Sequence, residues 1–388
     1  MTPENEKIDK TEKGDFSAFE NETGDFAAPE SGTSLSAERN DLAERGMMNS
    51  YKTVCFKSGL FLTIALSLRI LAQGFAPLAI KAITAISTNE DVVYALKLLY
   101  SAVFLQIIPS FIAAAMLNYG FKNLVGGFKP PKNSKKAFAD FPAIYGAAVF
   151  VNIITILITQ LISRNVDITK LVNNALTSVP SMASVIALAV SAVIIAPIFE
   201  EFIFRGAIMN ALKPYGSGIA VFFSAFWFAV FHGNFQQFFY AFAMGIFLGY
   251  ISYATKSIFC STIMHAMFNS ISIIMVIFET TEALKKKIAN PTAVLSNQEH
   301  LTVTMYAIFT VIILITAFIG FIMIIYKFIK IKKHRLPKVW GEVGNGKKIM
   351  ILIFTLTTLL ALMLTVDVMG TGYISNYISD LVRTNISA

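Results

Sequence analysis

Cysteine is nearly missing from this chain of 388 residues, which has only Cys55 and Cys260. Two thiols so far apart give neither a disulfide framework nor a CxxC metal spacing, and they say nothing about redox compartment. Histidine is almost as scarce, with His232, His265, His300 and His334 alone. The HExxH pattern of helical zinc proteases is absent. Charged residues make up 14% against 55% hydrophobic, a balance that excludes an ordinary soluble domain and points to a polytopic membrane protein. No basic n-region precedes a short apolar stretch, so no cleavable signal peptide is expected and the first span is expected to serve as its own insertion signal.

The charge that is present is unevenly placed. Residues 1–46 hold 12 acids and 5 bases, which leaves 12 acids and 27 bases for the rest. The formal net charge of +8 is therefore no case for nucleic acid; it is what loops facing anionic lipid on the cytoplasmic side produce. Residues 1–46 are rich in Glu, Ser, Asn, Gly and Asp and repeat Gly14-Asp15-Phe16 as Gly24-Asp25-Phe26. Such a segment buries too little apolar surface to fold alone, and a disordered acidic cytoplasmic tail is expected there.

Hydrophobic runs of bilayer length follow near 59–83, 92–117, 141–163, 180–212, 218–233, 235–254, 257–278, 302–326 and 349–369, each close to the roughly 20 residues that a spanning helix needs. The expected fold is all-α, a transmembrane bundle of about eight to nine spans. Its parts are the tail 1–46, N-terminal helices 47–175, a core 176–280 and C-terminal helices 281–388. Lys122 to Lys136 and Lys327 to Lys348 belong inside, and an N-terminus in the cytoplasm with nine spans satisfies both. Lys285, Lys286 and Lys287 dissent, and Arg69, Lys81 and Lys97 blur the first two runs.

Run 180–212 contains Pro197, a helix kink one turn before the adjacent carboxylates Glu200 and Glu201. An ionisable side chain inside the bilayer marks a functional site by default, because burying it unpaired is costly. Glu201 and Arg205, Phe228 and His232, and His265 and Asn269 are each four residues apart, so each pair shares a helix face. Glu201 with Arg205 reads as a buried ion pair, and Glu200, about 100° round the helix, is left for other work. Counted from the inner helix ends, Glu200, His232 and His265 lie roughly 20, 22 and 14 Å deep, close enough to meet. A carboxylate and an imidazole at one depth can activate water, and a second His with an Asn can donate to an oxyanion. A lone membrane His or Asn, by contrast, usually bonds a neighbouring helix.

Glu200-Glu201-Phe202-Ile203-Phe204-Arg205, Phe228-Ala229-Val230-Phe231-His232 and His265-Ala266-Met267-Phe268-Asn269 resemble the three ordered motifs of the CAAX protease and bacteriocin-processing family, type II CAAX prenyl endopeptidase-like. The resemblance covers about 180–275. It implies an intramembrane endopeptidase in which Glu200 and His232 activate water, His265 and Asn269 form the oxyanion hole, and Glu201, Arg205 and Phe228 support them. The expected partners are a peptide or protein substrate that enters from membrane or cytosol, and the lipid bilayer. No metal is expected; zinc on two His and a Glu is the alternative. The only aspartate in an expected span is Asp367, so a paired-aspartate protease lacks its dyad. Competing readings are a non-catalytic bacteriocin-immunity or peptide-maturation protein and a proton-coupled transporter. High Ile, Lys and Asn usage points to the cell membrane of a low-GC bacterium.

Overall fold

The computed structural model describes residues 32–132, 134–162, 179, 181–233, 235–333, 349–351, 353, 355–366, 368 and 373–387. Among them there is no strand: the regular structure is all helical. The chain divides into two units, Met1–Gly46 and Met47–Ala388. Helix α1 spans Gly32–Gly74, so helical structure begins inside the segment expected to be a disordered tail, of which residues 1–31 lie outside the description. His334 and Asp367 lie outside it too.

Among the described residues seven helices are long and apolar enough to cross a membrane, by length and composition. The protein is an integral, multi-pass membrane protein. Two of the nine expected runs are shorter as helices than as sequence. Ser217–Phe231 has 15 residues and Leu356–Val366 has 11, below the roughly 20 that a hydrocarbon core asks for. Run 218–233 is cut short at its ends: Gly216 (φ 133°) precedes the helix Ser217–Phe231 and Gly233 (φ 59°) lies just beyond it. Run 59–83 breaks between Gly74 and Ala76, where Pro77 opens α2 (Ala76–Ile86), as proline favours a first helical turn.

Capping side chains set the next starts. Asn89 accepts from the N–H groups of Asp91 and Val92 and opens α3 (Glu90–Ala102). A π turn at Val103–Ile107 leads into α4 (Ile108–Met116). After the short α5 (Phe121–Gly127) and α6 (Ser134–Ala139) comes α7 (Phe141–Ile162). Ser181 caps α8 (Met182–Ala189), which continues through the π turn Val190–Ile195, α9 (Ala196–Glu201), a second π turn Phe202–Ile208 and α10 (Met209–Leu212). Then follow α11 (Ser217–Phe231), α12 (Phe235–Thr255) and α13 (Ile258–Glu279), the last capped by Ser257. The remainder is α14 (Glu282–Ala289), α15 (Asn297–Lys333), α16 (Leu356–Val366) and α17 (Tyr373–Ser387).

Two of the dissenting lysines are paired on α14: Lys285 with Glu282 at 3.1 Å and Lys286 with Glu299 at 3.6 Å. Helices α7 and α15 meet through glycine. A Cβ on Gly146 would fall 2.0 Å from Thr316 O, and beside that contact Phe150 stacks on Phe321 with centroids 3.9 Å apart. The densest burial lies elsewhere, around α9 to α11, where Ile203, Phe204, Ile208, Leu212, Trp227 and Phe228 are all sealed from the surface. The charged groups of the site sit inside this apolar packing.

Candidate active site

Helix α9 delivers both carboxylates into the interior: Glu201 is wholly buried and Glu200 is 8% exposed. Such groups persist in an apolar setting only when partners answer their charge. For Glu201 the partner is one turn on. Arg205 Nη1 lies 3.0 Å from Glu201 Oε1, with both side chains fully buried, as the i to i+4 spacing predicts. Arg205 also donates through Nη2 to Gly245 O at 3.0 Å and rests over the ring of Phe228 at 4.5 Å, a cation–π contact.

His265 comes in from α13 and lies between the two acids. Its Nδ1 is 3.2 Å from Glu201 Oε1 and its Nε2 is 3.7 Å from Glu200 Oε2. Because a carboxylate held by arginine can only accept, Nδ1 is the nitrogen that donates to Glu201. His232 closes α11, and its Nδ1 donates to Phe228 O at 2.8 Å, which turns the other nitrogen outward as an acceptor. Phe228 holds the middle: its ring meets His232 edge-on at 4.6 Å and His265 at 5.5 Å. Asn269, one turn beyond His265, donates through Nδ2 to Ala192 O at 2.6 Å.

The four residues singled out for chemistry converge. Glu200, His232, His265 and Asn269 line one cavity of about 270 Å³. Its other walls are mainly apolar, from Leu188, Ala192, Met244, Ile273 and Val276, with Tyr240, Gln237 and Ser272 adding polar atoms. Glu201, Arg205 and Phe228 stand behind it. The cavity thus has a carboxylate and a bare imidazole nitrogen as acceptors at one end, and an amide and a second imidazole beside them. This is the donor and acceptor set that activating a water and receiving an oxyanion calls for.

One participant is missed by the sequence reading. Arg69 of α1 donates through Nη1 to Phe231 O at 3.0 Å, and a Cβ on Gly233 would lie 2.8 Å from its guanidinium carbon. Glycine at 233, with its left-handed backbone, makes room for this approach. The arginine therefore clamps the turn that carries His232, and it attracts the Glu200 carboxylate electrostatically. A signal exists in the sequence: an arginine inside an apolar run is itself a marker of function, and not only a charge that blurs a span boundary.

Glu201 is committed to Arg205 and His265, and among the described residues no three His, Cys, Asp or Glu side chains form a group able to hold a metal ion.

Residues 182–271 match the family described as type II CAAX prenyl endopeptidase Rce1-like. The matched segment runs from the first residue of α8 into α13 and contains every cavity residue named for chemistry, but not Arg69. No curated protein and no solved structure matches the chain. Over this segment the chain is similar to that endopeptidase family, and the likeness points to an intramembrane peptidase.

Proposed function

We propose that the protein is an intramembrane endopeptidase that hydrolyses a peptide bond of a membrane-associated, lipidated or secreted-peptide substrate, without a metal. The observation that carries this reading is the shared cavity of Glu200, His232, His265 and Asn269 inside an apolar bundle. A water between Glu200 and His232 donates one hydrogen to each acceptor, which points its lone pair at the substrate carbonyl. As it attacks, Glu200 takes a proton, the C=O π bond opens to an oxyanion, and Asn269 and His265 donate to that oxygen. The oxyanion role needs N–H on both nitrogens of His265. In that form the charges of Glu200, Glu201, Arg205 and His265 sum to zero. Glu200 then passes its proton to the leaving nitrogen as the C–N bond breaks.

The substrate enters from membrane or cytosol, and the apolar cavity walls suit aliphatic residues around the scissile bond. We place the protein in a bacterial cell membrane with its N-terminus in the cytoplasm, as loop charge indicates. The decisive experiment compares secreted and membrane peptides of cells carrying wild type and Glu200→Ala. One precursor is expected to accumulate uncut in the variant, with the protein still inserted. Full function in the variant would instead support a non-catalytic immunity or maturation role. For the metal, activity that vanishes with a strong chelator together with stoichiometric zinc would overturn the metal-free reading.

A further inference from the structure

In the π turn Val190–Ile195 the backbone bonds run from residue i to i−5, so that the Ala196 N–H donates to Ser191 O. The next bond in that register would join the N–H of residue 197 to Ala192 O. Residue 197 is proline and has no N–H. Ala192 O receives a donor from another helix instead: Asn269 Nδ2, at 2.6 Å. A side-chain amide thus stands where the helix would have placed its own backbone.

This substitution of donors has a directional consequence. A part-buried carbonyl left without a partner in an apolar bundle is costly, so the Asn269 bond is held in place. A primary amide has two N–H groups on one planar nitrogen, and fixing the first fixes the direction of the second. Ala192 and Asn269 both line the cavity that contains Glu200. An oxyanion donor is effective to the degree that it is aimed before the reaction begins.

We propose that Pro197 is a positioning residue for hydrolysis: by leaving Ala192 O without a backbone donor, it makes that carbonyl the anchor that fixes Asn269 and aims its second N–H into the Glu200 cavity. The proposal rests on the reading of Asn269 as an oxyanion donor, while the anchor can be tested apart from it. In Pro197→Ala the helix closes its own bond, and the Asn269 amide is free to swing.

The test is a double-mutant cycle on the purified full-length protein, with wild type, Pro197→Ala, Asn269→Leu and the double variant. Thermal unfolding and cleavage of a quenched fluorescent farnesylated CAAX peptide are both measured. With Pro197 in place, Asn269→Leu strands the carbonyl and lowers Tm by about 2 °C or more; in the Pro197→Ala background the same change costs less than half as much. Equal losses in the two backgrounds overturn the anchor. In the activity arm, Pro197→Ala is expected to lower kcat about tenfold with KM within about twofold, a split that a general loss of packing does not produce. An unchanged kcat overturns the positioning role. If Pro197→Ala does not fold, Asn269→Gln serves: one methylene longer, it keeps an amide but displaces its second N–H. Its kcat should fall with little change in Tm, and retained kcat overturns the proposal. Cleavage that survives Glu200→Ala overturns the catalytic use of the amide, and the Tm cycle still decides the anchor.

Discussion

Two segments of this protein are built to one local pattern and are used differently. In each a π turn is followed, two residues after its end, by proline: Val103–Ile107 with Pro109, and Val190–Ile195 with Pro197. In each the residue before the proline bonds five positions back, Ile108 to Val103 O and Ala196 to Ser191 O. Around Pro109 the carbonyl in the matching place is Phe104 O, and the nearby hydroxyl turns elsewhere: Ser110 Oγ donates to Gln106 O at 2.6 Å and approaches Phe199 O at 3.5 Å, while Phe111 is 71% exposed on the outer face. Around Pro197 a distant amide answers, and the adjacent carboxylates are buried. The pattern creates an unclaimed carbonyl; the neighbouring helix decides whether it is put to use.

The largest effect expected in testing that contrast concerns the charge carried only by the second segment. Arg205→Met leaves Glu201 buried without its cation and should cost about 3–5 kcal/mol, read by thermal unfolding in detergent. A loss as large from Ser110→Ala would erase the distinction. Next, Asn269→Leu should lower kcat about 100-fold, whereas Ser110→Ala should leave it within about twofold in the same peptide assay. Smaller still, Pro109→Ala should keep kcat within about twofold and raise stability by up to about 1 kcal/mol, because it returns a helix bond. A drop in kcat equal to that of Pro197→Ala would show the first segment to be functional too. The smallest effect is at Gln106, whose buried Oε1 has no hydrogen-bond partner among the described residues. Gln106→Leu should be neutral or stabilising by about 1 kcal/mol, and a marked loss of Tm would reveal a partner.

Much of this is legible in the sequence because it depends on short-range regularity. Apolar runs announce helices in lipid, and spacing of four announces Glu201 with Arg205. Comparable depths along three helices, roughly 14 to 22 Å, anticipate the cavity that Glu200, His232 and His265 share. What escapes depends on rotation and register. That His265 reaches both carboxylates follows from how α13 turns against α9, which a depth count does not contain. A π turn adds one residue to a helical circuit and leaves no mark in composition, so the partner of Asn269 is out of reach even though Pro197 reads as a kink. Arg69 is visible, but its contact lies 162 residues away in the chain. The shortened helix before His232 needs the two positive-φ glycines at its ends.

The bond from Arg69 to Phe231 also orders events in time. During synthesis the first helix emerges and inserts long before the turn that carries His232 exists, and the segment 182–271 could assemble its motifs only after that wait. Tying the histidine turn to α1 means that the cavity takes its final form when the bundle closes on that helix, late, and not when its motifs leave the ribosome.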